Sequence, residues 1–177
     1  MKIVPAAIAG VFVIESEPAA DERGSFGRTY CRQEFRKSGL SFGGITQMSR
    51  SRNIAKGTLR GLHWQAEPRA ENKLVRVARG RIYDVAVDIR PASPTFRRWL
   101  ALELDAENGK ALLIPKGCAH GFITLEPDTL VDYAMDEDYA PEQARGARWD
   151  DPAFGISWPA IPAAIAPRDL AWPDFPP

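Results

Sequence analysis

The sequence predicts an all-β fold, a sandwich or barrel of short strands. Three observations carry that expectation. Apolar and β-branched runs of strand length recur along most of the 177-residue chain. Gly, Pro, Asn and Asp clusters separate them, and a sustained 3.6-residue apolar period is almost absent.

In order, the strand candidates are Gly10 to Glu15, Ser25 to Tyr30, Ile45 to Arg50, Thr58 to Gln65 and Lys73 to Ala78. Ile82 to Arg90, Trp99 to Leu104, Lys110 to Ile114, Gly121 to Leu125 and Thr129 to Met135 follow. Each is rich in the branched and aromatic residues that pack on a pleated surface. Turns are marked by Asp21-Glu22-Arg23-Gly24, Arg79-Gly80, Pro91-Ala92-Ser93-Pro94, Glu107-Asn108-Gly109 and Pro115-Lys116-Gly117. One short peripheral helix is expected at Arg32 to Ser38, stopped by Gly39. Eight of the 15 prolines fall at or after Pro141, where Trp149, Trp158 and Trp172 supply apolar anchors. The expectation is a single domain over 1–177 whose irregular Pro-rich segment, about 141–177, packs on the barrel.

Lys and Arg number 23 against 23 Asp and Glu, and hydrophobic residues make up 45%. That is enough apolar surface for a core, and zero net charge argues against nucleic acid as the main partner. No apolar run approaches the length of a membrane span, and the N-terminus lacks a signal peptide's apolar region. With Cys31 and Cys118 read as free thiols, the protein is expected in the cytoplasm, off the membrane. Two histidines, His63 and His120, are too few for a His-rich metal site.

Period-two alternation puts Lys73, Val75 and Val77 on one face of their strand. In the next strand Ile82, Asp84, Ala86 and Asp88 lie opposite Tyr83, Val85, Val87 and Ile89. Polar side chains on an inward face of a small barrel suit a ligand cavity at its mouth. Lys73 on an apolar face is costly to bury unless it is paired or meets a developing negative charge, although a lysine snorkelling at a strand start fits as well. His63 stands mid-strand between Leu62 and Trp64, and His120 follows a turn between Ala119 and Gly121. Each has an ordinary structural reading beside a chemical one, as do Tyr133, Tyr139 and the loop residue Asp169.

Their order is more informative than any one of them. GTLRGLHWQ (Gly57 to Gln65), KLVRVARG (Lys73 to Gly80), DVAVDIRPASPTF (Asp84 to Phe96), IPKGCAHGF (Ile114 to Phe122), YAMDEDYAPE (Tyr133 to Glu142) and RWDDPAFGISWP (Arg148 to Pro159) succeed one another over most of the chain. With these, from Asp21 nearly to the C-terminus, the sequence resembles the dTDP-4-dehydrorhamnose 3,5-epimerase family of nucleotide-sugar epimerases. The resemblance implies a cupin-type jelly-roll barrel, a homodimer with an exchanged N-terminal segment, and no metal or organic cofactor. It also implies an isomerase that inverts C3, C5 or both of a nucleoside-diphosphate 4-keto-6-deoxy-hexose, dTDP-linked, in rhamnose-like deoxysugar biosynthesis. By the same resemblance His63 is the general base, Asp169 its orienting carboxylate, Tyr133 the acid on the opposite sugar face, and Lys73 the stabiliser of the enolate oxygen. His120 with Asp84 matches a second His–carboxylate pair near the sugar. Arg23 and Arg60 match arginines that contact the nucleotide-sugar, Tyr139 an aromatic that stacks on the base, and Arg168 a basic ligand contact. Phe26, Arg28 and Gln47 complete the expected substrate-binding set.

The chemistry explains that set. A proton alpha to a ketone leaves as an enolate forms, whose oxygen charge an ammonium can hold. Inversion needs a proton returned to the other face, so base and acid must stand on opposite sides of the ring. Strict alternation, however, places Arg60 on the face opposite His63, and both reach one pocket only if Gly61 bulges the strand.

The sequence also departs from the family. Arg28 stands where a glutamate contacts the base, a glutamine-acid-asparagine run survives only as Gln47, and the segment up to Arg60 is one residue longer. Asp138 replaces an aromatic beside Tyr139, and Cys118 replaces a phenylalanine. These changes cluster where the nucleotide is read, so a base other than thymine and inversion at C3 alone stay open. A 3,4-ketoisomerase is disfavoured by Tyr133. A non-catalytic sugar-nucleotide-binding cupin leaves His63, Asp169, Lys73 and Tyr133 unexplained.

Overall fold

A computed structural model describes residues 1–176. The chain runs β1 (Lys2–Pro5), β2 (Phe12–Glu15), β3 (Ala19–Asp21), β4 (Gly24–Phe26), α1 (Arg32–Lys37), β5 (Gln47–Asn53), β6 (Thr58–Gln65) and β7 (Lys73–Arg79). It continues through β8 (Arg81–Asp88), β9 (Trp99–Asp105), β10 (Lys110–Ile114), β11 (Cys118–Thr124) and β12 (Thr129–Met135). After a 3-10 turn (Pro141–Gln143) come β13 (Ala144–Gly146), β14 (Ala164–Ile165) and α2 (Pro167–Leu170). One sheet has the order β1-β2-β10-β7-β12-β5, the other β13-β6-β11-β8-β9 with β14 added parallel to β6. Facing each other, these antiparallel sheets form the cupin-type jelly roll, closed to leave few strand edges exposed.

Alternation divides the apolar residues among three layers. Val75, Val77, Ile82, Ala86, Leu112, Phe122 and Val131 fill the space between the sheets. Burying each Val, Ile, Leu or Phe contributes about 1.5–3 kcal/mol. Outside the first sheet, Phe35 of α1 packs with Leu40, Phe42, Leu74 and Leu113. Outside the second, Leu62, Val85 and Val87 are covered by Phe154, Trp158 and Phe175 of the proline-rich segment. Asp151 ties that segment down by accepting the Phe175 N–H at 2.6 Å.

Some expectations shift. The face of β8 bearing Asp84 looks into the barrel, as its polar residues suggest, while the face bearing Val85 and Val87 lies beneath the C-terminal segment. The strand expected at Ser25 to Tyr30 stops at Phe26, and Ser16 Oγ donates to Arg28 O at 3.0 Å in place of a strand partner. β4 pairs with β3 alone, in a hairpin separate from both sheets. Among the described residues no helix is long and apolar enough to cross a membrane.

Asp88 does not serve the cavity. Completely buried, it accepts from Arg90 Nε and Nη2, Ser93 Oγ and Thr95 Oγ1, and so shapes the Pro91–Pro94 turn. Burial alone would raise its carboxyl, but the bonds from Arg90, Ser93 and Thr95 outweigh that and bring it down to about 2. A carboxyl lowered on folding stabilises above its unfolded value of 3.8, and that contribution is lost as pH falls toward 2. Asp88→Ala should therefore cost roughly 3–5 kcal/mol at neutral pH by stranding Arg90 and two hydroxyls. In thermal melts across pH, the gap between wild type and variant should narrow between about pH 4 and pH 2.

Candidate active site

The barrel's mouth opens into a cavity of about 480 Å³ whose walls include Gln47, His63, Lys73, Tyr133, Tyr139 and Arg168. Lys73 and Tyr133 come from β7 and β12 of the first sheet, where Lys73 pairs with Met135 and Tyr133 with Val75. His63 comes from β6 of the second sheet. The lysine and tyrosine therefore stand on one wall and the histidine on the other.

β6 reaches this arrangement through a bulge. Against β11, His63 pairs with His120 and Arg60 with Phe122, so Gly61 and Leu62 together oppose Gly121. The extra residue turns Arg60 and His63 to the same side. Gly61 has φ 113, in the region that favours glycine, and a Cβ there would lie 2.6 Å from His120 O and from Gly121 Cα. A side chain has no room at this crossing.

His63 Nε2 lies 2.7 Å from Asp169 Oδ1, and Asp169 Oδ2 accepts the Gly61 N–H at 3.2 Å. The carboxylate is buried, while 39% of the His63 side chain is exposed toward the cavity. Burial pushes the Asp169 carboxyl up. The His63 bond and charge, with lesser help from the Gly61 N–H and the Trp172 indole, more than reverse this and leave it below the usual carboxylate range. A carboxylate so placed fixes the orientation of the imidazole and stands beside the nitrogen that points away from the cavity's reacting group.

Across the cavity, burial raises the Tyr133 phenol far above its ordinary value, with the Ser51 hydroxyl as hydrogen-bond neighbour. Tyr133 is thus a neutral O–H donor at physiological pH. Behind it His120 packs edge-on at 6.1 Å between ring centroids and bonds Asp84 Oδ1 at 2.7 Å. Asp84 Oδ2 is buried without a hydrogen-bond partner. Arg60 donates from Nε to Asn53 Oδ1 at 2.8 Å and lies near enough to Tyr133 for its charge to act on the phenol.

Lys73 Nζ pairs with Glu71 at 3.0 Å, with side-chain exposures of 14% and 7%. Glu71 lines the cavity and escaped the sequence reading, as did Arg145. Glu71 stands at i−2 from Lys73, a period-two signal hidden because it precedes the strand. At the rim, the Tyr139 N–H donates to Gln47 Oε1 at 3.1 Å, and Gln65 bonds Asp138 O and the Ala140 N–H, which together hold the Tyr139 loop.

Three expected binding residues stand apart from this cavity. Arg23 pairs with Asp21, Arg28 with Glu34, and Phe26 is 86% exposed, all on or beside the β3–β4 hairpin. Among the described residues no group of three or more His, Cys, Asp or Glu is placed to hold a metal ion. Each histidine is instead bonded to its own aspartate.

The family model described as dTDP-4-dehydrorhamnose 3,5-epimerase matches residues 5–176. A protein of that name from Sinorhizobium fredii is 43% identical over 169 residues, 95% of this chain and 86% of its own. Among solved structures, a dTDP-4-dehydrorhamnose 3,5-epimerase from Bacillus anthracis with TDP and PPi bound superimposes with TM-score 0.94 at 37% identity, covering 98% of this chain and 99% of that one. The dTDP-6-deoxy-D-glucose-3,5-epimerase from Legionella pneumophila in complex with dTDP-4-keto-L-rhamnose gives 0.90 at 36%, covering 97% and 90%. Agreement at this level along nearly the whole length, in sequence and in backbone alike, means that the chain belongs to the dTDP-4-dehydrorhamnose 3,5-epimerase family.

Proposed function

We propose that the cavity binds a dTDP-linked 4-keto-6-deoxyhexose and epimerises it beside the ketone. The enzyme is an isomerase of the sugar-epimerase class. The observation that carries the assignment of roles is the His63–Asp169 pair facing Lys73 and Tyr133 across one cavity. His63 removes the proton at C3 or C5, and the C–H electrons move into the C–C bond as the C4 carbonyl pair moves onto oxygen. Lys73 holds the resulting enolate charge, with Glu71 fixing the ammonium. Tyr133 returns a proton from the other wall, so the carbon inverts. His63 then releases its proton to solvent and Tyr133 recovers one.

His120 with Asp84 supports Tyr133 from behind and borders the sugar. Tyr139, 57% exposed at the rim, offers its ring to the base, while Arg168 suits the pyrophosphate. Gln47 and Arg60 complete the binding set from within the subunit. Arg23, Phe26 and Arg28 act on the nucleotide in a homodimer, where the β3–β4 hairpin of one protomer reaches the cavity of its partner. Its support is the hairpin's lack of any strand partner in its own subunit and the exposure of Phe26. We read the whole chain as one domain, because Phe154, Trp158 and Phe175 share a core with β6 and β8. The free thiols Cys31 and Cys118 support a cytoplasmic site of action.

With dTDP-4-keto-6-deoxyglucose in deuterated water, solvent deuterium should enter C3, C5 or both, and His63→Ala should slow this by roughly 10²–10⁴-fold. Full exchange in His63→Ala would mean another base. Tyr133→Phe should keep exchange while losing inversion, read by NMR of the recovered sugar. Lys73→Met should lower kcat by roughly 10²–10³-fold with KM little changed, since the ammonium acts on charge that develops in the transition state. Phe26→Asp should lower both the mass measured by light scattering and the activity; a fully active monomer would refute the hairpin's role.

A further inference from the structure

Gln65 is the last residue of β6, on the same face as His63, and its side chain is buried. Its carboxamide makes three hydrogen bonds, each to a backbone group. Nε2 donates to Arg69 O at 2.9 Å and to Asp138 O at 3.1 Å, and Oε1 accepts the Ala140 N–H at 2.6 Å. Both amide protons are spent within the protein, so Gln65 borders the cavity without a free donor for a ligand. Only one orientation of the carboxamide serves all three groups. Flipped, it would set its oxygen against two carbonyls and its nitrogen against an N–H.

The three partners belong to separate parts of the cavity wall. Arg69 lies in the loop between β6 and β7 that leads to Glu71 and Lys73, whereas Asp138 and Ala140 flank Tyr139 in the loop after β12. One buried side chain thus joins the strand of His63, the approach to the Lys73–Glu71 pair and the loop that carries Tyr139. Tyr139 is 57% exposed, so the packing of its own ring does little to hold it. Its place is set by the backbone bonds on either side and by Gln47, which accepts the Tyr139 N–H at 3.1 Å. Arg69 adds ion pairs to Glu137 at 3.2 Å and Asp138 at 3.4 Å, but pairs so open to solvent hold a loop weakly.

We propose that Gln65 is a positioning residue for nucleotide binding: its carboxamide clamps the Tyr139 loop to β6 and so orders the ring, at a set place relative to His63, before a ligand arrives. That the ring meets the base rests on the reading above; the clamp on the loop does not. An exposed ring on a loose loop would lose conformational freedom on binding, and that loss weakens affinity. The clamp removes the loss in advance. A ligand without a base gains nothing from it.

The test measures binding of dTDP and of inorganic pyrophosphate by titration calorimetry to wild type, Gln65→Met, Tyr139→Ala and the double variant. Methionine keeps the length of the side chain and removes all three bonds. Gln65→Met should weaken dTDP binding roughly five- to tenfold and change pyrophosphate binding by less than about twofold. In the Tyr139→Ala background the same substitution should change dTDP binding by less than about twofold, because a clamp acts only through the ring it holds. A side chain that merely supports the fold would weaken both ligands, with or without the ring. In Gln65→Met the Tyr139 and Ala140 amides should also exchange with solvent roughly tenfold faster, while those of β12 stay protected. Wild-type affinity for dTDP in Gln65→Met, equal losses with and without Tyr139, or unaltered exchange at Tyr139 and Ala140 overturns the proposal. If wild type binds no dTDP, or Tyr139→Ala binds it as tightly as wild type, the nucleotide reading fails and the exchange rates still decide the clamp. Should Gln65→Met not fold, the wild-type protein answers through its side-chain amides. The Gln65 NH2 protons should exchange roughly tenfold more slowly than those of exposed Gln33, and equal rates overturn the proposal.

Discussion

The contact on which the site depends is the 2.7 Å bond between His63 and Asp169, because it joins residues 106 apart in sequence. A loop carboxylate would ordinarily remain in water, where its charge is solvated. Here it is buried, and such burial is tolerated only when several donors face it. His63 and the Gly61 N–H are both on β6, so folding the C-terminal segment back over that strand completes the His63–Asp169 pair and satisfies the carboxylate together. The segment cannot be loosened without cost to the site. Its own anchors, Phe154, Trp158 and Phe175, bury against the outer face of the same sheet and oppose such loosening.

The strand that receives Asp169 could not be regular. An uninterrupted β6 would send Arg60 and His63 to opposite faces, and its Gly61 N–H would be spent on strand pairing. The bulge solves both problems, bringing Arg60 near enough to Tyr133 for its charge to act there and presenting the N–H to the carboxylate. Close approach is the recurring condition at this corner. Gly61 passes against Gly121, and Gly146 passes against Trp172, so two neighbours of His63 are positions where a Cβ has no room.

Much of this is legible in the sequence. Period-two alternation placed Lys73 with Val75 and Val77 on the inward face, and these residues line the cavity and the core beneath it. Thr58 to Gln65, Lys110 to Ile114 and Thr129 to Met135 match β6, β10 and β12 at both ends. What alternation could not supply was the wall on which each strand sits, since that follows from long-range pairing. Thus alternation puts Val85 and Val87 opposite Asp84, and only the fold shows that their face lies beneath the C-terminal segment. β13 and β14, at three and two residues, carry no branched or aromatic pattern to announce them. Asp169 was reached only through family resemblance, because nothing local marks one loop aspartate as buried. Glu71 was missed since its partner lies across a strand boundary.

Net neutrality, 23 basic against 23 acidic residues, conceals how charge is distributed inside the cavity. Lys73 is already balanced by Glu71, and His63 already faces Asp169. In the proposed reaction, enolisation moves one proton from carbon to His63 and leaves one negative charge on the sugar oxygen. Each new charge arises beside an opposite charge that is in place before the reaction: the imidazolium next to Asp169, the enolate next to Lys73. Separating a bare pair of charges would be expensive, because solvent dipoles would have to reorganise around it, whereas charges already in place need no reorganisation. Two pre-paired sites on opposite walls remove that cost without altering the cavity's total charge. Arg145 and Arg168 also line the cavity, exposed and in no ion pair with a cavity carboxylate among the described residues. The two histidines, too few for a metal site of the usual kind, suffice for chemistry whose electron sink is the substrate's own ketone.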